Sequence, residues 1–196
     1  MVVEAVFASR NRHKLEQVML LLPEVNLVPL DDLAPDLVLL EPHHTFTDNA
    51  LAKARAVAAA TGRVAIADDS GLEVDALDGA PGVLSARFAG SDATDEANNA
   101  KLVVALRDVP DDERTCRYRC VAVLVDPDGT ELVAEGSSEG RVILEGRGDL
   151  GFGYDPHVIP VGEQRTMGEI PLEEKLRFSH RGRAFRALAQ LMDERL

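Results

Sequence analysis

The sequence predicts an α/β fold on a mixed sheet, and three observations predict it. Strand-like runs interleave with about four helix-like ones, the chain opens on a strand–loop–helix unit, and a long hairpin lies past its middle. Val2–Ala8 is apolar enough for a buried strand, and Lys14–Leu22 carries Leu15, Val18, Met19 and Leu22 at the spacing of one helical face. Val25–Leu30 reads as a second short strand. Asp31–Asp48 follows as an acid-rich, proline-containing connection, in a stretch from Leu15 to Ala52 that holds seven Asp/Glu and no Lys or Arg. Phe46, Ala50, Ala54, Val57 and Ala58 share a helical face ending at Gly62, a suitable C-cap.

Val64–Ala67 is a β-type run that stops at Asp68-Asp69-Ser70-Gly71, and Leu72–Leu77 alternates before the Gly79-Ala80-Pro81-Gly82 turn, so the expectation is strand, polar turn, strand. A helix is expected over Thr94–Arg107. Arg114–Val125 alternates over twelve residues, Pro127-Asp128-Gly129 turns the chain, and Glu131–Glu135 returns, with Arg141–Leu144 as an extension. Gly146–Pro156 is glycine-rich, Val158–Pro160 is a short strand, and Ser179–Arg195 is a final helix with Ala184, Phe185, Leu188, Leu191 and Met192 facing inward.

A length of 196 residues suits one domain over 1–196. The longest apolar run, Cys120 to Val125, is six residues, against about 20 for a membrane-spanning helix, so no span of a bilayer is expected. With 21 Lys+Arg against 34 Asp+Glu the net charge is −13. That surplus repels polyanions, which argues against DNA, RNA or anionic lipid as a bulk partner and requires any phosphate to be gripped locally. The N-terminus has no basic start followed by an apolar stretch, so no secretory signal is visible and a cytoplasmic protein is expected. Cys116 and Cys120, four apart on a strand, lie ~13 Å apart on one face, too far to bridge, and without the spacing of a structural zinc site.

Four constellations carry possible chemistry. Ser9-Arg10-Asn11-Arg12-His13-Lys14 sits where the first strand hands over to a helix, where backbone N–H groups, the helix dipole and basic side chains suit a phosphate. A plain surface loop with Asn11 as N-cap is equally consistent. Asp68 and Asp69 are adjacent carboxylates at a strand end, so one can face a ligand, and a hard cation such as Mg²⁺ takes one or two carboxylates plus phosphate. Glu41 is a further carboxylate in a connection devoid of cations. A DD-S-G turn also forms from turn preference alone. Gly151-Phe152-Gly153-Tyr154-Asp155-Pro156 sets two of the eight aromatics among glycines, either as rings for stacking on a base, since Phe152 and Tyr154 share a side of any extended stretch, or as a glycine-rich turn with an aromatic anchored in the core. Lys175–Arg186 holds five Lys/Arg and no acid, and Ser179 fits an N-cap that places His180 and Arg181 in a first helical turn.

Together with T-F-T-D-N-A-L-A-K-A at 45–54 and G-A-P-G-V-L-S-A-R-F-A-G at 79–90, the segments S-R-N-R-H-K, A-D-D-S-G-L-E-V, G-F-G-Y-D-P and S-H-R-G closely resemble the inosine triphosphate pyrophosphatase family, in order, from about Val3 to Leu191. The resemblance implies an elongated α/β fold with a central mixed sheet, helices packed around it, a cleft between two lobes, and a homodimer. It implies Mg²⁺-dependent hydrolysis of dITP, ITP and XTP to the monophosphate and pyrophosphate, which clears deaminated purine nucleotides before they enter DNA and RNA. On that basis Ser9, Arg10, Asn11, Arg12, His13 and Lys14 would hold the triphosphate, Glu41 and Asp69 would ligate metal, and Asp69 would also accept the proton. Ser70, Phe152, Gly153, Tyr154, Asp155, Lys175, His180 and Arg181 would line the nucleotide. Donors on His180 and Arg181 suit a 6-oxo group, whereas a 6-amino group leaves them unpaired. Two positions depart from the family pattern: Arg10 stands where many members have a small residue, and Leu176 where a polar one is frequent. A pyrophosphatase of modified pyrimidine nucleotides is less well matched by S-H-R-G, and a non-catalytic nucleotide binder would lack the carboxylates.

Overall fold

The computed structural model describes residues 3–195. Met1, Val2 and Leu196, at the ends of the expected domain and strand, lie outside the described residues. The strands are β1 (Val3–Phe7), β2 (Val25–Pro29), β3 (Ala65–Val74), β4 (Thr115–Val125), β5 (Glu131–Val142) and β6 (Val158–Pro160), and the helices are α1 (Arg12–Leu21), α2 (Phe46–Thr61), α3 (Asp95–Leu106), α4 (Leu172–Leu176) and α5 (His180–Asp193). The strands form one mixed sheet in the order β2-β1-β3-β4-β5-β6. β1 runs parallel to β2, with Ala5 opposite Leu27, and parallel to β3, with Phe7 opposite Ile66, while β5 and β6 are antiparallel, with Arg141 opposite Ile159. Two compact units divide the chain: residues up to Asp69 with Cys120–Gly136 and the stretch from Arg181 onward, and Ser70–Arg119 with Ser137–His180.

In the first unit Phe7, Ile66, Cys120, Ala122 and Leu124 from alternate strand positions pack with Val18 and Leu22 beside α1 and with Ala184, Phe185, Leu188 and Met192 of α5. The phase of α1 differs from the sequence expectation. Met19 is exposed, and the buried place on that helix goes to the polar Gln17, which has a partner described below. α2 follows its sequence closely: the Thr45 hydroxyl caps it by accepting from the Asp48 N–H, its Ala50–Ala54–Val57–Ala58 face is buried, and Gly62 ends it at φ +65°.

The polar turn expected at Asp68-Asp69-Ser70-Gly71 is absent. β3 runs straight through those four residues. Turn preference is local, and here the strand's pairing with its neighbours and ionic partners for both carboxylates override it. β5 likewise spans two expected pieces as one strand, passing Gly140, where a Cβ would lie 2.6 Å from the Ile159 carbonyl oxygen across the ladder.

The second unit is built on Leu72, Val74, Cys116, Tyr118 and Val142 from the strands, with Leu102 and Leu106 of α3 and with Tyr154, Val158 and Met167. Thr94 caps α3 at the start of the expected helix. The five-residue α4, too short to show a period, was not expected. Both cysteines are buried and free.

Candidate active site

In the first unit the strand period separates the two neighbouring carboxylates. Side chains of adjacent strand residues point to opposite faces, so Asp68 meets α1 and α5 whereas Asp69 meets α2. Asp68 is fully buried, and its Oδ2 receives Lys14 Nζ at 3.1 Å, Arg181 Nη2 at 3.0 Å and Nε at 3.3 Å, with the Cys120 thiol at 3.8 Å. Arg181 also donates from Nη1 to Gln17 Oε1 at 2.9 Å, which accounts for the buried glutamine. Burial alone would raise the Asp68 carboxyl, but Lys14 and Arg181, with Lys53 adding to them, outweigh it and hold it well below the usual range.

Asp69 accepts from Lys53 Nζ at 3.3 Å and from Asn49 Nδ2 at 3.2 Å, and the same ammonium lies 2.5 Å from Glu41 Oε1. Burial pushes the Asp69 carboxyl above its ordinary value, Glu41 and Asp68 adding to the effect of burial and Lys53 and Lys14 opposing it. Lys53 is pulled down by burial and more than restored by Asp69 and Glu41, so its ammonium is held above the ordinary value. The two carboxylates that the sequence suggests as metal ligands therefore already gather one positive charge. Among the described residues no group of three or more His, Cys, Asp or Glu could hold a metal by itself. In donor chemistry, however, the hard carboxylate oxygens of Glu41 and Asp69 fit Mg²⁺.

The Ser9–Lys14 segment forms the entry to α1. Asn11 caps it by accepting from the Lys14 N–H, and Ser9 Oγ accepts from the Asn11 N–H. Of its basic side chains, Lys14 reaches Asp68, while Arg10 turns to the acidic connection, donating to Asp31 at 2.8 Å and to the Pro35 carbonyl at 2.6 Å. The departure at Arg10 thus braces one loop against another.

The second unit holds the aromatic residues. Asp155, buried, takes Lys175 Nζ on Oδ2 at 2.8 Å and the Tyr118 hydroxyl on Oδ1 at 3.1 Å, and Tyr118 stacks on His180 with ring centroids 4.7 Å apart. Burial raises the Tyr118 phenol well above its ordinary value, so it remains a donor. Gly151 has φ +93°, and a Cβ there would stand 2.1 Å from Asp155 Oδ2 and 2.6 Å from Lys175 Nζ, which only glycine avoids. Gly153 donates its N–H to Asp95 at 2.6 Å. The 151–154 stretch is bent rather than extended, so the extended path on which the two aromatics would share a side is not the one taken. Tyr154 is buried and donates to the Ser85 carbonyl at 2.8 Å, an anchor in the core, while Phe152 is only partly covered. Ser70 is a strand residue of β3.

The sequence reading missed Lys53, Asn49, Gln17 and Tyr118. A signal existed for two of them: Asn49 and Lys53 are four apart beside the alanine face of α2, which puts both on one side of the helix. Tyr118 falls in the inward alternation of β4 with Cys116 and Cys120, where it reads as plain core.

Comparison with known proteins gives a consistent result. The Ham1 family model matches residues 5–191. The chain is 44% identical over 193 residues to a dITP/XTP pyrophosphatase of Desulforamulus reducens, covering 97% of this chain and 96% of that protein. It is 48% identical over 195 residues to one of Nocardia farcinica, covering 95% of each. Among solved structures it is similar to the Ham1 protein of Staphylococcus aureus, with a TM-score of 0.89 at 36% identity, covering 98% of this chain and 100% of that one.

Proposed function

The chain belongs to the Ham1 family, and from that premise we propose that it hydrolyses dITP, ITP and XTP to the nucleoside monophosphate and pyrophosphate, keeping deaminated purines out of DNA and RNA. The observation that carries this reading is the gathering of Glu41, Asp69 and Lys53 around one point of the first unit. It supplies acid, base and cation where a phosphoric anhydride needs all three. Glu41 and Asp69 would hold Mg²⁺, which when bound offsets charge on the phosphates and lowers the barrier to attack by water. Asp69, its carboxyl raised and one oxygen held by Asn49, orients water and accepts its proton. Lys14 and Lys53 face the triphosphate, aided by the backbone of Ser9–His13 at the α1 N-terminus.

We assign the base to Phe152, His180, Asp155 and Lys175. Phe152 offers a partly exposed ring, His180 is held flat by Tyr118, and Lys175 fixes Asp155. With Ser70, Gly153 and Tyr154, these residues form the set we assign to the base, and a donor left unpaired by a 6-amino group would disfavour adenine; Arg181, buried and donating to Asp68 and Gln17, is held by those partners instead. The family match from 5 to 191 supports one pyrophosphatase domain over 1–196. No helix among the described residues is long and apolar enough to cross a membrane, and a cytoplasmic homodimer is the assembly we assign.

The test is a pyrophosphate-release panel over purine and pyrimidine triphosphates with and without Mg²⁺. Metal-dependent turnover of dITP and XTP, well above that of dATP and dGTP, is the expected outcome. Equal turnover of the four standard deoxynucleotides would overturn the specificity.

A further inference from the structure

Asp68 stands beside the assigned proton acceptor yet has no part in the chemistry described above. Three observations define its surroundings. Its side chain is wholly enclosed, whereas Lys14, which donates to it at 3.1 Å, keeps 15% of its side chain exposed. A single oxygen, Oδ2, serves both Lys14 and Arg181. The other oxygen, Oδ1, is enclosed and makes no hydrogen bond among the described residues.

A Mg²⁺ ion engaged with phosphate keeps several waters and needs open space at its ligand oxygens. Neither oxygen of Asp68 has such space, since one is covered by two cations and a thiol and the other is sealed. The strand period also turns Asp68 away from the face on which Asp69, Glu41 and Lys53 meet. A carboxylate with two cations on one oxygen leaves one positive charge over, and only Lys14 is placed to present it to solvent. We propose that Asp68 is a positioning residue: it clamps Lys14 of the α1 entry and Arg181 of α5 in place so that Lys14 meets the triphosphate, and it does not ligate the metal.

This inference rests on the triphosphate reading above, but it is tested by binding as well as by turnover. In Asp68→Asn the affinity for inorganic tripolyphosphate should fall about tenfold, the scale expected when a charge-assisted contact loses its alignment. Affinity for Mn²⁺, followed by its paramagnetic resonance signal, should stay within about twofold of the unaltered protein. KM for dITP should rise while the Mg²⁺ midpoint for activation stays put. Asp69→Asn should give the reverse pattern in the metal titration. If Asp68→Asn weakens Mn²⁺ binding as much as Asp69→Asn does, or leaves tripolyphosphate affinity unchanged, the inference is overturned.

Should the variant not fold, the unaltered protein still decides: on addition of Mg²⁺ the carboxyl carbon resonances of Asp69 and Glu41 should shift and that of Asp68 should not. A shift at Asp68 equal to that at Asp69 sinks the proposal. A protein that binds tripolyphosphate and Mn²⁺ as stated but releases no pyrophosphate from dITP would refute the activity while leaving the role of Asp68 intact.

Discussion

In the first unit Lys14, Lys53 and Arg181 stand against Glu41, Asp68 and Asp69, and no pairing among the six is exclusive: Asp68 serves two cations and Lys53 serves two acids. In the second unit Asp155 and Lys175 are paired one to one, and the Tyr118 hydroxyl takes the remaining carboxylate oxygen. A shared network can take up additional charge by redistributing its partners, whereas a closed pair has none to offer. The contrast is one of adaptability: the first group can accept a further charge, whereas the second offers rings and fixed hydrogen bonds.

The comparison is broken most sharply at Asp69. Asp69→Asn keeps the shape of the first group but removes its base, and turnover of dITP should fall by about 10²–10⁴, with thermal stability unchanged or slightly raised because burial opposes ionisation there. The next effect belongs to the second group. Lys175→Met leaves Asp155 buried without its cation, which should cost about 3–5 kcal/mol in urea unfolding; a cost near zero would mean that the pair is no closed unit. Tyr118→Phe removes one donor to the same carboxylate while its ring stays on His180, so about 1–3 kcal/mol is expected in urea unfolding.

The smallest effect is in acid. Asp68 lies below the ordinary aspartate value of 3.8 when folded, so the stability it adds is complete above that value and is lost as pH falls further. Asp69 is shifted upward, so its ionisation costs stability above its folded value and that cost is relieved on acidification. Unfolding measured as pH is lowered should therefore show a shallower acid limb in Asp68→Asn than in the unaltered protein, and no such flattening in Asp69→Asn.

Much of this was legible in the chain. The cap at Asn11, the helix from Thr94, the faces of α2 and α5, and the hairpin all follow from periods and capping chemistry that act within a few residues. What was not legible depended on partners far away in sequence. Nothing local to Asp68-Asp69-Ser70-Gly71 says that a lysine 54 positions earlier and an arginine 113 positions later will hold the first carboxylate inside a strand. The burial of Gln17 in place of Met19 has the same origin, since Arg181 pays for it with a hydrogen bond. An extended path puts Phe152 and Tyr154 on one side; the chain bends there instead, with the Gly153 N–H on Asp95 and the Tyr154 hydroxyl on the Ser85 carbonyl.

The unbroken course of β3 through its two aspartates has one more consequence. Their roles are stored as odd and even places along a ladder, so inserting or deleting one residue between Ala65 and Asp68 would exchange the two faces together. The partner of Lys14 and Arg181 would be turned towards α2, and the partner of Lys53 towards α1 and α5. Length, more than residue identity, is the quantity that this stretch of chain cannot afford to vary, and engineered insertions should be tolerated in the 126–130 hairpin turn long before they are tolerated there.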